Sequence, residues 1–261
     1  MERRIPIELH GFHKLTLLND PGYMACTIFT GCCNFRCPFC QNASIVLKPG
    51  SQPLLPEEEV LSVLEKRRGI LEGVCLTGGE PTLQPDLERF LRRIRDMGYR
   101  IKLDTNGFLP DVLNHLMQEG LVDYIAMDIK NSRARYPETA GIPGLPLEPI
   151  ERSIRLLMQD APSFGIEYEF RTTIVREFHT PHDLQEAGEW IRGARAWYLQ
   201  AFRDSGTLIG AGLTGYDADR LHAMAGLIRP VASIPGLPGC GYPDTFFPFF
   251  NWPPQGRRRS N

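Results

Sequence analysis

The sequence lacks several features that would assign it to a common class of protein. It contains no apolar run long enough to cross a bilayer. Its 29 basic and 31 acidic side chains leave a net charge of −2, which gives no indication of a nucleic-acid or membrane partner. Residues 1–11 carry charges and a proline instead of the long apolar core of a signal peptide. These absences, with clustered thiols, predict a protein of the reducing cytoplasm.

The chain has seven cysteines, but they do not form the two spaced pairs of a zinc site or the even set of a disulfide framework. An odd count in a chain long enough to bury a core disfavours a disulfide framework. A structural zinc site usually needs two spaced pairs, and there is no second C-x2-C. Cys33, Cys37 and Cys40 instead form one C-x3-C-x2-C loop. Thiolates favour iron–sulfur clusters or zinc, and a [4Fe–4S] cluster held by three cysteines has one iron open to a small molecule.

The rest of the chain alternates between predicted strands and helices. The strands are expected over 23–30, 73–77, 99–104, 124–128, 166–175 and 196–200, and the helices over 56–68, 85–97, 109–119, 147–160, 183–191 and 216–228. This alternation predicts an α/β fold with a parallel sheet covered by helices, either a barrel or an open doubly wound sheet. We expect one domain over 1–237. Asn131 to Pro149 is predicted as a long rim loop, and 238–261 as a Pro/Phe/Arg-rich extension without regular structure.

Polar motifs follow successive predicted strands. They are the cysteine loop, Thr77-Gly78-Gly79-Glu80-Pro81, Asp104-Thr105-Asn106-Gly107, Asp128-Ile129-Lys130, Arg171 and Gln200. Each alone is explained by turn chemistry or by an ion pair at the rim. Their repetition at the carboxyl ends of parallel strands indicates one functional site.

Several segments resemble the activating proteins of anaerobic (class III) ribonucleotide reductase, which belong to the radical S-adenosylmethionine (radical SAM) activases of glycyl radical enzymes. The segments are KLTLLNDPGYMACTIFTGCCNFRCPFCQN, LTGGEPTLQPDLERFL, IKLDTNG, LVDYIAMDIK, YEFRTTIV and WYLQAF. The resemblance runs from about Lys14 to about Leu237 and implies a partial (β/α)6 barrel of the TIM-like, radical SAM type. Between Cys40 and Gly78 the only cysteine is Cys75, so no ferredoxin-like module is inserted. This favours the ribonucleotide reductase or pyruvate formate-lyase type of activase.

The resemblance also implies roles for individual residues. Cys33, Cys37 and Cys40 are the expected cluster ligands and catalytic centre. The other expected cofactor-binding residues are Gly78, Gly79 and Glu80 for the SAM amino group, Phe39 for the adenine, Asp104, Thr105 and Asp128 for a monovalent cation, and Lys130 and Arg171 for the SAM carboxylate or ribose. His179 is a weaker candidate at the rim.

Cys32 departs from the family pattern, because activases usually have glycine directly before the first cluster cysteine. It opens a second possible register, Cys32-x4-Cys37, although the spacing from Cys33 matches the family.

The implied reaction uses single electrons. A flavodoxin- or ferredoxin-like donor reduces the [4Fe–4S] cluster, which cleaves SAM to methionine and a 5′-deoxyadenosyl radical. That radical removes hydrogen from a glycine of the partner enzyme. The alternatives are an activase of pyruvate formate-lyase or another glycyl radical enzyme, a radical SAM enzyme acting on a small molecule, and an iron–sulfur electron-transfer protein.

Overall fold

The computed structural model describes residues 5–16, 22–228 and 246–248. Its framework is an open eight-stranded sheet in which the strand order follows the chain order. The strands are β1 (Leu9–Thr16), β2 (Ala25–Thr30), β3 (Gly73–Gly78), β4 (Arg100–Thr105), β5 (Tyr124–Asp128), β6 (Glu167–Ile174), β7 (Trp197–Ala201) and β8 (Phe246–Pro248). β2 to β7 are parallel, whereas β1 and β8 add antiparallel to the two edges. Six parallel strands in an unclosed sheet confirm the predicted partial barrel.

In the part of the chain that the structure describes, seven helices lie between the parallel strands and an eighth follows β7. They are α1 (Ala43–Leu47), α2 (Glu57–Lys66), α3 (Leu87–Asp96), α4 (Pro110–Gln118), α5 (Tyr136–Thr139), α6 (Glu148–Arg155), α7 (Pro181–Trp190) and α8 (Ala218–Ile228). Shorter turns lie at Pro49–Ser51, Pro81–Leu83 and Ala161–Phe164, and a π-helical turn at Leu156–Asp160 extends α6. Within the described residues, no helix combines the length and apolar character that crossing a bilayer requires.

The third helix shows how the sequence produces these elements. Leu87, Phe90, Leu91 and Ile94 are all buried and recur at the spacing of one helical face. The helix ends just before Gly98, whose φ of 86° favours glycine. Its apolar face therefore packs against the sheet while its arginines remain on the other side.

The parallel strands are buried, but the layer they enclose is not uniformly apolar. In β4, Ile101 and Leu103 alternate with Lys102 and Asp104, and all but Asp104 are buried. Alternation places the lysine and the aspartate on one face of the sheet. A charged layer thus lies beneath the carboxyl-end mouth of the partial barrel.

Three features of the fold differ from the predictions. β1 was not predicted, and β8 is a strand inside the extension for which no regular structure was expected. The expected rim loop at 131–149 contains α5 and the start of α6. The remainder of 229–261, including Cys240, lies outside the described residues, so the boundary at 237 stays a prediction.

Candidate active site

A cavity of about 450 Å³ opens at the carboxyl ends of the parallel strands. Its lining contains the twelve residues to which the family resemblance gives a role in cluster or cofactor binding: Cys33, Cys37, Phe39, Cys40, Gly78, Gly79, Glu80, Asp104, Thr105, Asp128, Lys130 and Arg171. They come from five different loops and strands, as expected for an α/β site. The structure thus brings the candidates together, while the role of each stays a prediction.

The cysteine loop leaves β2 and is held by backbone hydrogen bonds. Cys40 N donates to Cys37 O at 3.0 Å, and Arg36 N donates to Ala140 O, just past α5, at 2.8 Å. Cys33, Cys37 and Cys40 line the cavity, so three thiols face one space. This is the ligand set for a cluster with one open iron.

Cys32 has a different environment. Its Sγ lies 3.8 Å from Glu8 Oε2, and the residue is absent from the cavity lining. Its φ of 61° is in the left-handed region, where glycine has no steric penalty. The geometry places Cys33, and not Cys32, on the cavity, and it gives Cys32 a backbone conformation that favours glycine.

Burial raises the pKa of each of the three cavity thiols and so favours the protonated form. It raises the pKa of Cys33 to about 12 and that of Cys37 to about 11, and it also raises the pKa of Cys40. The Lys130 ammonium opposes this effect at all three thiols. Because iron binds thiolates and not thiols, binding of a cluster by these cysteines would release protons from the loop.

The Gly78-Gly79 edge is packed against the cysteine loop. A Cβ on Gly79 would lie 1.7 Å from Cys32 O, and a Cβ on Gly78 would lie 2.3 Å from Thr30 N. Gly79 N donates to Thr30 O at 2.9 Å, and Glu80 N donates to Cys32 O at 2.8 Å. The glycines are required by the approach of two protein backbones, in addition to any ligand.

The Glu80 carboxylate is occupied by the protein itself. It accepts hydrogen bonds from Thr82 N and Oγ1 at 3.1 and 2.6 Å, from Thr105 Oγ1 at 2.8 Å and from Asn106 N at 2.7 Å. Burial raises its pKa, and these hydrogen bonds oppose that rise. The Glu80 side chain therefore ties the end of β3 to the end of β4.

Charged groups of both signs form the floor of the cavity. Asp104 accepts from Lys102 Nζ at 2.9 Å and from Arg171 at 3.3 Å. Asp128 accepts from Lys130 Nζ at 2.7 Å and lies 3.4 Å from Arg171 Nε. The nearby Asp104 and Asp128 carboxylates raise the pKa of Arg171 against the effect of burial.

The pairing of Asp104 and Asp128 with protein cations leaves fewer free oxygens for the predicted monovalent-cation site. The oxygens of both aspartates already face protein cations, and the Thr105 hydroxyl donates to Glu80. The cation site stays a prediction. Lys130 and Arg171, however, present positive charge to the cavity, as binding of a carboxylate requires.

His179 differs from its prediction as a rim residue. It is fully buried and outside the cavity lining. Its Nδ1 accepts from Val175 N at 3.1 Å, and its Nε2 donates to Lys130 O at 2.7 Å. The ring also lies 6.4 Å from that of Phe39. His179 therefore supports the backbone that carries Lys130 instead of contacting a ligand.

Sequence reasoning missed a segment after β7 that packs on the cysteine loop and contributes Arg203 to the cavity lining. Gln41 Nε2 donates to Arg203 O at 2.8 Å, and Gly210 N donates to Pro38 O at 2.7 Å. We call residues 203–215 the strap, because they run from the end of β7 onto the cysteine loop. The strap is also tied to the end of β6, where Arg176 N donates to Thr214 O at 2.9 Å. No residue of 131–149 lines the cavity.

The fold and the site together define a class. An open six-stranded parallel half-barrel with three thiols, a glycine edge and paired charges at one mouth is an enzyme scaffold for a thiolate-bound cluster and an organic cofactor. A family model described as the radical SAM superfamily matches residues 27–164, and the chain belongs to that superfamily. It is therefore a radical SAM enzyme. The superfamily uses a [4Fe–4S] cluster and S-adenosylmethionine. The cysteine loop fits this chemistry, because three thiols leave one iron of the cluster open to a small molecule.

Two solved structures support the fold. A structure of TYW1 with a lysine-pyruvate adduct bound matches with a TM-score of 0.58 and 16% identity, covering 80% of this chain and 74% of that chain. Streptococcus suis SuiB bound to the precursor peptide SuiA also gives 0.58, with 14% identity over 75% of this chain and 43% of that one. At these identities the likeness concerns the fold alone.

The sequence relatives include proteins with two different names. A Methanocaldococcus jannaschii protein, provisionally named as a glycyl-radical enzyme activating enzyme, is 27% identical over 195 residues, which are 74% of this chain and 78% of that protein. A Saccharolobus solfataricus protein, provisionally named as a GTP 3′,8-cyclase, is 34% identical over 116 residues, which are 43% of this chain and 37% of the cyclase. The likeness to the first extends over most of both chains.

Proposed function

We propose that this protein is a glycyl-radical-enzyme activating enzyme and that its partner is an anaerobic, class III ribonucleotide reductase. The supporting observation is the single cavity in which a three-thiol loop, a glycine edge and two paired cations meet. The similarity to the Methanocaldococcus protein over most of both lengths supports the activase class. The choice of reductase rests on the segments that resemble its activators.

In this proposal each group of residues has a distinct task. Cys33, Cys37 and Cys40 would hold the cluster, whose chemistry would be transfer of one electron to the sulfonium of SAM. Lys130 and Arg171 attract the SAM carboxylate, and the Gly78-Gly79 edge offers backbone groups to its amino end. Phe39, which is 7% exposed on the cavity wall, provides a flat apolar surface for the adenine.

The far wall suits a peptide backbone as the hydrogen source. Thr173, Gln200 and Ala201 line it at the ends of β6 and β7, and two of the three have small side chains. A glycine on a protein loop needs space for its backbone and none for a side chain. A flavodoxin- or ferredoxin-like protein is the proposed electron donor.

The decisive assay is anaerobic and uses the reconstituted protein, SAM, a reductant and the class III reductase from the same source. We expect a glycyl-radical EPR doublet on the reductase and an equivalent amount of 5′-deoxyadenosine. Cys33→Ala is the negative control, because it removes a proposed ligand of the cluster.

Other outcomes separate the alternatives. A doublet on pyruvate formate-lyase or another glycyl radical enzyme, and none on the reductase, would change the partner and keep the activase class. SAM cleavage with no radical on any such enzyme would contradict the activase proposal and favour a small-molecule substrate.

A further inference from the structure

Asn106 is a buried residue between the glycine edge and the cysteine loop, and the proposed function gives it no role. It is 5% exposed. Its backbone N donates to Glu80 Oε2 at 2.7 Å, and its Oδ1 accepts from Phe108 N at 2.9 Å. Both contacts are to groups fixed in the fold, so the side chain has one orientation.

That orientation directs the amide nitrogen of Asn106 at the cysteine loop. Because Oδ1 accepts from a backbone N–H, the other end of the amide must be Nδ2. Nδ2 lies 2.7 Å from Asn34 Oδ1 and 3.8 Å from Cys33 Sγ. Its two hydrogens therefore have two acceptors, and one of these is the sulfur.

Cys33 differs in this respect from the other two cavity cysteines. Its sulfur accepts from Phe35 N at 3.4 Å in addition to the Asn106 amide. Cys37 and Cys40 also have backbone donors, the one to Cys40 being Asn42, but among the described residues no side chain donates to either sulfur. The asymmetry therefore lies in the side-chain donor, which Cys33 alone of the three thiols has.

We propose that Asn106 is a positioning residue that donates an amide hydrogen bond to the Cys33 thiolate and thereby raises the reduction potential of the bound cluster. Hydrogen bonds to ligating sulfurs are one of the factors that set this potential. Reduction adds negative charge to the cluster and its thiolates, so a donor stabilises the reduced state more than the oxidised state. This inference rests on Cys33 as a ligand, which is part of the proposed function, and it does not depend on the partner enzyme.

The test is an EPR-monitored redox titration of reconstituted protein without SAM or partner. We expect Asn106→Ala to lower the equilibrium constant for one-electron reduction by about tenfold, a shift of about 59 mV to more negative potential. Asn106→Asp should shift it further, because a carboxylate replaces the donor beside the thiolate. Asn106→Ser is a small polar variant whose hydroxyl, one bond from Cβ, does not reach the sulfur, so its potential should shift as in Asn106→Ala.

Asn114→Ala is the matched control, since Asn114 is a partly exposed asparagine on α4. Iron content and urea unfolding are measured for every variant. Equal potentials in fully loaded wild type, Asn106→Ala and Asn106→Asp would overturn the proposal. Loss of iron from Asn106→Ala and Asn106→Ser alike would also overturn it, because the residue would then serve assembly of the loop.

The result of this titration is independent of the result of the activase assay. A protein that activates no glycyl radical enzyme can still show the Asn106 shift. An active activase whose variants all share one potential would refute the inference alone.

Discussion

At the residue scale, the cysteine register has a direct test. Cys33→Ala, Cys37→Ala or Cys40→Ala should abolish the [4Fe–4S] EPR signal of anaerobically reconstituted, reduced protein, because each thiol lines the cavity. Cys32→Ala should retain the cluster and its response to SAM, because that thiol faces Glu8. A cluster that survives Cys33→Ala and is lost in Cys32→Ala would reverse the register.

The glycine edge gives a second test at this scale. Gly79→Ala would place a methyl group 1.7 Å from Cys32 O, so the loop or the strand must shift. We expect a loss of about 1–3 kcal/mol in the free energy of unfolding and weakened SAM binding, measured by urea titration and calorimetry. The control is Gly50→Ala, whose Cβ would meet no atom within 4 Å. Similar losses in both variants would contradict this account of the edge.

The sequence predicted which residues come together at the cavity. It did not predict the hydrogen-bond partners of some of their side chains. All twelve candidates line the cavity, because strand ends in a parallel sheet share one edge. The side-chain partners of Glu80 include residues 25 and 26 positions away, on the next strand. Such contacts depend on the register between strands, which one sequence does not encode locally. The burial of His179 was missed for the same reason.

At the element scale, α7 carries a capping box that can be tested by itself. Thr180 Oγ1 accepts from Asp183 N at 3.2 Å, and Thr180 N donates to Asp183 Oδ2 at 2.8 Å. Thr180→Ala should lower the free energy of unfolding by about 1 kcal/mol, measured by urea titration. Ser62→Ala, at an exposed position within α2, should change it little. An equal effect of the two substitutions would show that the cap contributes nothing.

Prediction was most accurate for elements with a clear period. The stripe of α3 and the apolar runs of β3 and β5 indicate their structures without reference to the rest of the chain. β1 contains histidines, a glycine and a lysine among few apolar residues, and its pairing with β2 is irregular in register. β8 has three residues, too short for a period of two to be detected. Both edge strands depend on a neighbour that the sequence does not identify.

At the scale of the whole molecule, His179 predicts a dependence of stability on pH. Burial lowers its pKa below 6.5, so between the two values the unfolded chain binds a proton that the folded chain does not. Stability should therefore decrease as the pH falls below about 6.5 toward the folded-state pKa, and its contribution is complete above that range.

The measurement is the free energy of unfolding between pH 5 and 8 for wild type and His179→Gln. The variant should be less stable at neutral pH, because its two buried hydrogen bonds are altered, and its stability should fall less on acidification. His182→Gln, which replaces an exposed histidine on α7, is the control. Parallel curves for wild type and His179→Gln would contradict the assignment.

The strand order also has a consequence for how the protein is made. Each strand pairs with the one synthesised just before it, so the sheet can grow from its amino-terminal edge as the chain leaves the ribosome. The thiol loop after β2 is complete early, whereas the strap that closes onto Pro38 is synthesised more than 150 residues later. The strap can therefore cover this side of the cysteine loop only after β7 has been synthesised, so the loop is exposed on that side for most of the time that the chain is being made.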